Sequence, residues 1–204
     1  MQSGVTYPNN QKPDILEALS DENLMVLVQE EKLNYMEVLF GRYQKRIYNY
    51  FLKCTLDPEE SRDLAQITFI RVMKYRASFN ASRGFEGWLF QIARNLVKDH
   101  FRKMKVYRDQ FNLVDTLPDP ALQGWHAEEG DAREQLEREA LLYKAMARLD
   151  PDKRELLVLA KFQGMKYEQI AELRDMTVSA VKVQVHRTIA KLRDIYLEEE
   201  KSEE

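Results

Sequence analysis

The chain has 204 residues, of which 44% are hydrophobic and 32% charged, and its formal net charge is −3. This composition is too apolar for a disordered chain and too highly charged for a membrane protein, and the net charge argues against a uniformly basic nucleic-acid-binding protein. A single cysteine excludes an internal disulfide and a thiolate metal cluster. No stretch is apolar enough to span a bilayer, and the N-terminus lacks a secretory signal, so we expect a cytoplasmic protein.

The first half of the chain predicts helices. A mobile polar leader over 1–20 precedes apolar residues at helical spacing in 24–33 and again in 36–51. Asp57 can cap the next helix, and Pro58 suits its first turn. The apolar stripe of that helix is expected to be Leu64, Ile67, Phe69 or Ile70, and Met73.

The second half is also expected to be helical. A polar loop over 78–84 leads into a helix that runs to about Lys105, and the segment 107–131 has the prolines and glycines of a linker. Further helices are expected over 132–149, from Asp150-Pro151 to Gly164, over 167–173 and over 178–196. The predicted fold class is therefore all-α, with two small helical domains, 21–106 and 132–197, joined by a flexible linker and followed by an acidic tail over 198–204.

Charge is distributed unevenly along the chain. Residues 81–108 carry seven Lys and Arg against two acids, whereas 109–139 carry nine acids against two Arg. Residues 177–193 carry four Lys and Arg and no acid. This pattern favours two nucleic-acid contacts separated by an acidic connector, although solvated helix faces would give the same charge pattern.

The stretch YEQIAELRDMTVSAVKVQVHRTIAKLR predicts a helix-turn-helix. In its second helix, Val181, Val185, Ile189 and Leu192 are expected to face inward. The opposite face is small, polar and basic, which suits entry into a DNA major groove. An ordinary helical hairpin is the alternative. The residues on or beside the outward face are Ser179, Ala180, Lys182, Val183, Gln184, His186, Arg187 and Lys191.

The stretch FEGWLFQIARNLVKDHFRK combines a helical apolar stripe with additional aromatic residues and a basic end. Phe85, Trp88, Phe90 and Phe101 cannot all lie on one stripe. Aromatic rings beside cations can stack on unpaired bases while the cations hold the backbone. The alternative is that Trp88 and Phe90 belong to the core.

Three ordered motifs carry a resemblance to a known family. DLAQITFIRVMKY resembles the polymerase-binding helix of bacterial RNA polymerase sigma factors of the extracytoplasmic-function (ECF) group. FEGWLFQIARNLVKDHFRK resembles their promoter-melting helix, and the segment from RLDPDKRELL to AKLR resembles their C-terminal domain, which recognises the minus-thirty-five element. The resemblance extends over about 24–196, nearly the whole chain.

The resemblance implies roles for individual residues. The polymerase-binding residues would be Asp63, Leu64, Gln66 and Phe69, which would dock on the clamp of the largest polymerase subunit. The loop 78–84 would hold a flipped base, and the last domain would rest on the flap of the second-largest subunit. The minus-ten DNA contacts would be Ser78, Phe79, Asn80, Trp88, Arg94, Asn95, Lys98, Arg102 and Lys103. The outward residues of the helix-turn-helix would contact the minus-thirty-five element.

The resemblance also implies that the acidic linker threads towards the polymerase active-site channel, and that an anti-sigma protein is a candidate partner. We expect the free chain to be a monomer. The sequence departs from the family pattern at Ile67, where an acid is usual, and at Ser179-Ala180, where Gly-Thr is common. Asp175 replaces a frequent glycine in the turn and tolerates a positive φ. We therefore expect an intact fold that recognises an unusual promoter sequence.

Other functional classes find little support in the sequence. His100, His126 and His186 lack the spacing of a metal site, and no glycine-rich phosphate loop is present. Cys54 lies among apolar residues, as a small buried side chain would. We expect neither enzymatic activity nor a cofactor nor a metal. The alternative function is a helix-turn-helix regulator that binds DNA without docking on polymerase.

Overall fold

The computed structural model describes the backbone of residues 18–111 and 132–203 and the side chains of 18–107 and 137–202. Within these ranges the protein is all-α and contains no strand, as predicted. Two short 3-10 turns, Arg76–Ser78 and Ala81–Arg83, and one π-helical turn, Val158–Phe162, interrupt the helices. The helices are α1 (Asp21–Gln29), α2 (Tyr35–Thr55), α3 (Pro58–Tyr75), α4 (Phe85–Phe111), α5 (Ala132–Ala147), α6 (Pro151–Leu157), α7 (Tyr167–Arg174) and α8 (Val178–Glu203).

Two Asp-Pro pairs begin helices. The Asp57 carboxylate accepts hydrogen bonds from the backbone N–H groups of Glu59 and Glu60, at 2.8 and 3.0 Å. The Asp150 carboxylate does the same at the start of α6. Each carboxylate satisfies N–H groups that have no partner inside the helix and lies at the positive end of the helix dipole. Both predicted caps are confirmed.

The helices α1 to α4 form the N-terminal domain around a core of aliphatic and aromatic side chains. The expectation that the aromatic residues of α4 extend beyond the buried stripe is only partly right. Phe85 and Phe90 are completely buried, and Trp88 and Phe101 are half-buried. The stripe is wider than one helical face because α4 is covered on one side by α1 to α3 and on another by α7.

The helices α5 to α8 form the C-terminal domain, which contains the predicted helix-turn-helix. In the turn, Asp175 has a φ of 55°, the left-handed conformation expected for this position. The inward stripe of α8 differs from the prediction at one position. Thr188 is 3% exposed, whereas Ile189 is 38% exposed. The inward residues are therefore Val181, Val185, Thr188 and Leu192, at intervals of four, three and four. They lie within a narrower sector of the helix than a set that includes Ile189.

Three predicted boundaries change. Helix α4 continues to Phe111, so the first five residues of the predicted linker are helical, and the other linker residues lie outside the described part of the chain. Helix α8 continues through most of the predicted acidic tail, where Glu198 and Glu199 pair with Arg148, just after α5, at 2.9 and 2.7 Å. At the end of the predicted leader, Ser20 caps α1. Residues 1–17, the rest of the leader, are outside the described residues.

The two domains also pack directly on each other. One continuous cluster of buried residues includes Tyr50 and Leu96 of the N-terminal domain and Leu156 and Ile170 of the C-terminal domain. Helix α2 contacts α6 and the π-helical turn, and α4 contacts α7. The sequence predicted a covalent linker between domains but not this interface. No helix within the described residues is long and apolar enough to cross a membrane.

Replacing the cap of α3 tests its contribution to stability. We expect Asp57→Ala to lower the free energy of unfolding by about 1 kcal/mol, because two backbone N–H groups lose their acceptor. Urea unfolding followed by circular dichroism measures the change. Asp63→Ala on the same helix removes an exposed carboxylate and should change stability by less than about 0.5 kcal/mol. Equal effects of the two substitutions would contradict the capping role.

Candidate partner and nucleic-acid interfaces

The outer face of α3 combines polar and apolar side chains. Asp63 and Gln66 are exposed, as a docking role requires. Ile67, which the sequence pattern assigned to the buried stripe, and Ile70, which was the alternative to Phe69 there, are instead 38% and 65% exposed. The buried face consists of Ser61, Leu64, Ala65, Thr68, Phe69 and Val72. The small residues Ser61, Ala65 and Thr68 belong to this buried face, and the two isoleucines lie outside it.

Leu64 and Phe69, two of the four residues predicted to bind polymerase, lie mostly inside the domain. They are only 5% and 7% exposed, so Leu64 holds α3 in the domain and has no surface to offer. Phe69 packs edge-on against Phe40 of α2, with ring centroids 4.8 Å apart. Through this pair, Phe69 forms the floor of a groove between α2 and α3.

The groove has a volume of about 340 Å³ and an apolar floor with a basic rim. Phe40, one of the apolar residues of α2, is 41% exposed. Lys45 and Arg62 lie at its edge. Sequence reasoning missed the groove and the outward isoleucines. Positions 63, 67, 70 and 74 share one face of a helix, so a helical projection could have placed the isoleucines beside Asp63.

The loop between α3 and α4 has a fixed backbone. The Asn80 side-chain oxygen accepts hydrogen bonds from the Ser82 backbone N–H at 3.0 Å and from the Ser82 hydroxyl at 2.8 Å. Gly84 has a φ of 76°, a conformation that favours glycine, and turns the chain into α4. The Glu22 carboxylate then accepts from the Phe85 backbone N–H at 3.0 Å. Ser78 and Asn80 are exposed on this loop.

The ring of Phe79, a residue predicted to contact DNA, is buried in the loop after α3. It is 6% exposed and lies between Phe85 and Trp88, at centroid distances of 6.0 and 5.3 Å. The Gln29 side-chain amide donates to the carbonyl oxygens of Arg76 and Phe79. These contacts anchor the loop, so Phe79 positions its polar neighbours.

The basic end of α4 divides into an exposed and a buried part. Asn95, Lys98, Arg102 and Lys103 are exposed, in agreement with a surface role. Arg94 is 7% exposed and faces the C-terminal domain. Its guanidinium donates to the Leu173 carbonyl at 3.2 Å and lies 3.3 Å from a carboxylate oxygen of Glu155. In this arrangement Arg94 is buried between the two domains, and its contact with DNA stays a prediction.

Glu155 of α6 is the centre of a buried polar cluster formed with Tyr50, Arg94 and Arg174. Its side chain is 3% exposed and accepts a hydrogen bond from the Tyr50 hydroxyl at 3.0 Å. Its second oxygen accepts from the Arg174 guanidinium at 2.9 Å. Burial raises the pKa of Glu155, while Arg174 and Arg94 act in the opposite direction. Burial also raises the pKa of Tyr50, so its hydroxyl remains a donor at neutral pH.

The outward face of α8 is exposed over about its first four turns. Ser179, Lys182, Gln184, His186, Arg187 and Lys191 are exposed, Ala180 is half-buried, and Val183 is 48% exposed. Thr177 caps the helix, since its hydroxyl accepts from the Ala180 backbone N–H at 3.1 Å. A polar recess of about 310 Å³ between α6 and α8 brings Lys153 to the same side as Arg187 and Lys191. Sequence reasoning did not include Lys153, because it lies on another helix.

Comparison with known proteins identifies the family. The profile described as Sigma-70 region 2 matches residues 39–106, and that described as Sigma-70, region 4 matches residues 139–192. RNA polymerase sigma factor CarQ of Myxococcus xanthus is 30% identical over 159 residues, which are 78% of this chain and 87% of that protein. ECF RNA polymerase sigma factor BldN of Streptomyces coelicolor is 28% identical over 76% of this chain and 57% of its own length. The chain belongs to the ECF group of sigma-70 factors.

The same fold is found in a solved sigma-factor structure. Sigma factor RpoE of Bartonella quintana, in complex with the anti-sigma factor NepR, has a TM-score of 0.65 and 19% identity. The similarity covers 78% of this chain and 94% of that chain. Together the comparisons favour the sigma-factor interpretation over a regulator that does not dock on polymerase, because they include the N-terminal as well as the C-terminal domain.

Proposed function

We propose that this ECF sigma factor uses the outer face of α3 to dock on core RNA polymerase, and uses the loop after α3, the exposed end of α4 and the outward face of α8 to select promoters. The observation that carries the proposal is the exposed combination of Asp63, Gln66, Ile67 and Ile70 on α3. The exposed parts of these isoleucines do not stabilise a free monomer, whereas a bound partner could bury them.

The groove beside α3 fits the same partner. Its apolar floor would take an apolar side chain of a polymerase helix, and Lys45 and Arg62 at the rim would face acidic groups of that helix. The family resemblance implies that this partner is the clamp of the largest polymerase subunit. Ile67 stands where an acid is usual in the family, so this surface is more apolar. We propose that burial of apolar surface contributes more to docking here than charge pairing does.

The promoter contacts are proposed at two separate surfaces. Ser78 and Asn80 on a loop of fixed backbone would hold a base of the minus-ten element, and Asn95, Lys98, Arg102 and Lys103 would contact backbone phosphates. On α8, Ser179, Val183 and Gln184 would meet base edges in the major groove, and Arg187 and Lys191 would meet phosphates. The flap of the second-largest subunit would support the C-terminal domain.

The remaining features of the proposal concern location and partners. We propose a cytoplasmic, non-enzymatic protein that is monomeric when free and can be held by an anti-sigma protein. Support comes from the relatives, which are named as sigma factors, and from the solved neighbour, which is in complex with an anti-sigma factor.

Transcription is the direct test of the proposed function. Core RNA polymerase from the bacterium that encodes the chain is supplied with genomic DNA fragments, with and without the purified protein. We expect discrete new transcripts only when the protein is present, and their start sites would give the promoter sequence. If no transcript appears and the chain does not co-migrate with core enzyme while it still binds DNA, the regulator function replaces this proposal.

Substitutions on the outer face of α3 should weaken docking. We expect Asp63→Ala and Gln66→Ala each to reduce the affinity for core polymerase by about tenfold, since truncation of a central interface residue costs about 1–2 kcal/mol. Fluorescence anisotropy with labelled protein measures the affinity. Glu59→Ala, in the exposed first turn of the same helix, is the matched control and should bind like the wild type. Unchanged affinity in both variants would exclude docking through this face.

The role of Arg187 can be tested by salt dependence. If Arg187 contacts a phosphate, Arg187→Ala should weaken binding to promoter DNA and reduce the slope of log K against log salt by about one unit. Binding of the holoenzyme is measured at several salt concentrations. Arg193→Ala, another exposed arginine of α8, is the matched control because 71% of its side chain is exposed and it pairs with Asp194. Identical slopes for wild type and Arg187→Ala would rule out the phosphate contact.

A further inference from the structure

Helix α1 holds both ends of the loop after α3. At the C-terminal end of α1, the Gln29 side-chain amide donates to the carbonyl oxygens of Arg76 and Phe79, at 2.8 and 3.0 Å. At its N-terminal end, the Glu22 carboxylate accepts from the Phe85 backbone N–H at 3.0 Å, where the loop passes into α4. The two side chains are separated by about 10 Å of helix. One rigid element therefore fixes the point where the loop begins and the point where it ends.

The turn that ends α1 brings a second side chain to the loop. The backbone N–H groups of Glu31 and Lys32 donate to the carbonyl oxygens of Val28 and Leu27, at 3.2 and 3.1 Å, which is the hydrogen-bond pattern of a Schellman motif. Glu31 has a φ of 65° at the position of this motif where glycine is the usual residue. Its carboxylate pairs with the Arg76 guanidinium at 2.6 Å. A position that helix termination alone would give to glycine thus carries a side chain that contacts the loop.

The exposed polar groups of the loop lie between these anchor points. The Phe79 ring is buried against two aromatic rings of α4, which hold the middle of the loop. Ser78 and Asn80 on either side of it are exposed. The Ser78 hydroxyl donates to the Tyr75 carbonyl at 2.8 Å, so this side chain is also tied to the backbone. The groups proposed to meet a base therefore belong to a backbone that α1 and α4 hold together.

A fixed backbone matters for choosing between bases. A hydrogen-bonding site rejects the wrong base because its polar groups are then left without partners. This holds only if the site cannot rearrange, since a mobile loop finds hydrogen bonds for several ligands. The two carbonyl oxygens that Gln29 holds belong to Arg76 and Phe79, which flank Ser78 in the chain. Loss of the Gln29 amide would therefore free the segment that presents Ser78.

We infer that α1 sets the base selectivity of the loop: Gln29 and Glu22 are positioning residues that make the loop accept one base of the minus-ten element over the other three. Both act through the loop backbone and not through contacts of their own with DNA. The inference rests on the proposed contact between this loop and the minus-ten element. The anchoring itself is a property of the free chain, so it can be measured without polymerase or DNA.

Substitutions of equal shape separate hydrogen bonding from packing. Gln29→Glu keeps the size of the side chain but replaces its N–H donors with an oxygen that faces two carbonyl oxygens. Glu22→Gln keeps an oxygen that can accept from the Phe85 N–H. We expect Gln29→Glu, Gln29→Ala and Glu22→Ala to release the loop, and Glu22→Gln to behave like the wild type. A role in filling space alone would not distinguish Gln29→Glu from the wild type.

Two further substitutions on α1 are matched controls. Asn23→Ala removes an exposed side-chain amide from the same helix. Val28→Ala truncates a completely buried side chain beside Gln29, so it lowers the stability of the domain and leaves both anchoring side chains in place. Circular dichroism verifies that each variant is folded. If Gln29→Glu fails to fold, Gln29→Ala decides, because it adds no charge near the carbonyl oxygens.

Amide hydrogen exchange of the free full-length chain, followed by NMR, tests the anchoring. The Phe79 N–H donates to the Arg76 carbonyl at 3.1 Å, and the Arg83 N–H to the Asn80 carbonyl at 3.0 Å. We expect both amides to exchange about tenfold faster in the two Gln29 variants, since fewer hydrogen bonds oppose local opening of the loop. Neither control should change the exchange of these amides by local opening. Wild-type exchange of the loop in both Gln29 variants would overturn the inference.

Transcription by reconstituted holoenzyme tests the selectivity. Each variant is combined with core polymerase on a promoter found in the transcription test above, prepared with each of the four bases at every minus-ten position. We expect the wild type to prefer one base at the position that the loop binds, and the two Gln29 variants to lose about tenfold of that preference. Asn23→Ala, Val28→Ala and Glu22→Gln should keep it. Because the preference is a ratio within one protein, a smaller fraction of folded protein does not alter it.

The outcomes separate this inference from the proposed function. Wild-type preference in folded Gln29→Glu and Gln29→Ala would overturn the role of α1 and leave the sigma-factor function in place. If the wild-type holoenzyme transcribes but shows no base preference at any minus-ten position, the proposed base contact of the loop is wrong, and the inference falls with it. If no sample supports transcription, the sigma-factor function itself fails, and the selectivity role fails for that reason.

Discussion

The packing of the two domains depends on the partners of one buried carboxylate, that of Glu155. Glu155 lies at the junction of α6, α2, α4 and α7, where an unpaired charge would be prohibitively unstable. Arg174 holds it from within its own domain, and Arg94 and Tyr50 hold it from the other. Because each partner also packs in the surrounding apolar core, this single side chain links the orientation of the helix-turn-helix to the position of α4.

The aromatic residues around the loop after α3 pack against one another. Phe79, Phe85 and Trp88 form a connected cluster with ring centroids 5.3 to 6.2 Å apart. Such pairs fix ring orientation as well as burying area. They anchor the polar loop, and Ser78 and Asn80 are exposed polar groups of that loop. Preorganisation of this kind lowers the entropy lost when a flexible strand binds.

The sequence predicted features that depend on local chemistry. The Asp57 and Asp150 caps, the positive φ of Asp175 and the all-α fold follow from residue types at fixed spacing. Features that depend on the other domain could not be predicted this way. The periodicity of α4 places Arg94 near a polar margin, and only the arrival of Glu155 from another domain makes that margin buried.

Helix α3 also shows that periodicity alone does not predict which residues are buried. Here residues that were predicted to be buried are exposed. From its sequence, this helix could bury either the face with Ile67 and Ile70 or the face with Leu64, Thr68 and Val72. The structure buries the second face, which also carries small residues. A pattern of apolar residues does not distinguish a face that is buried in the folded chain from one that awaits a partner. Asp63 and Gln66, which accompany the outward isoleucines, are the local sign that this face is on the surface.

The same interface decides which groups lie on the surface. The outer face of α3 and the outward face of α8 are exposed, whereas Arg94 is buried between the two domains. The contacts that give Glu155 its partners therefore remove one cation of α4 from the surface, while Asn95 and Lys98 on the same helix remain exposed. A basic segment of the sequence thus divides into residues that stabilise the fold and residues that a ligand can reach, and the division depends on the packing of the other domain.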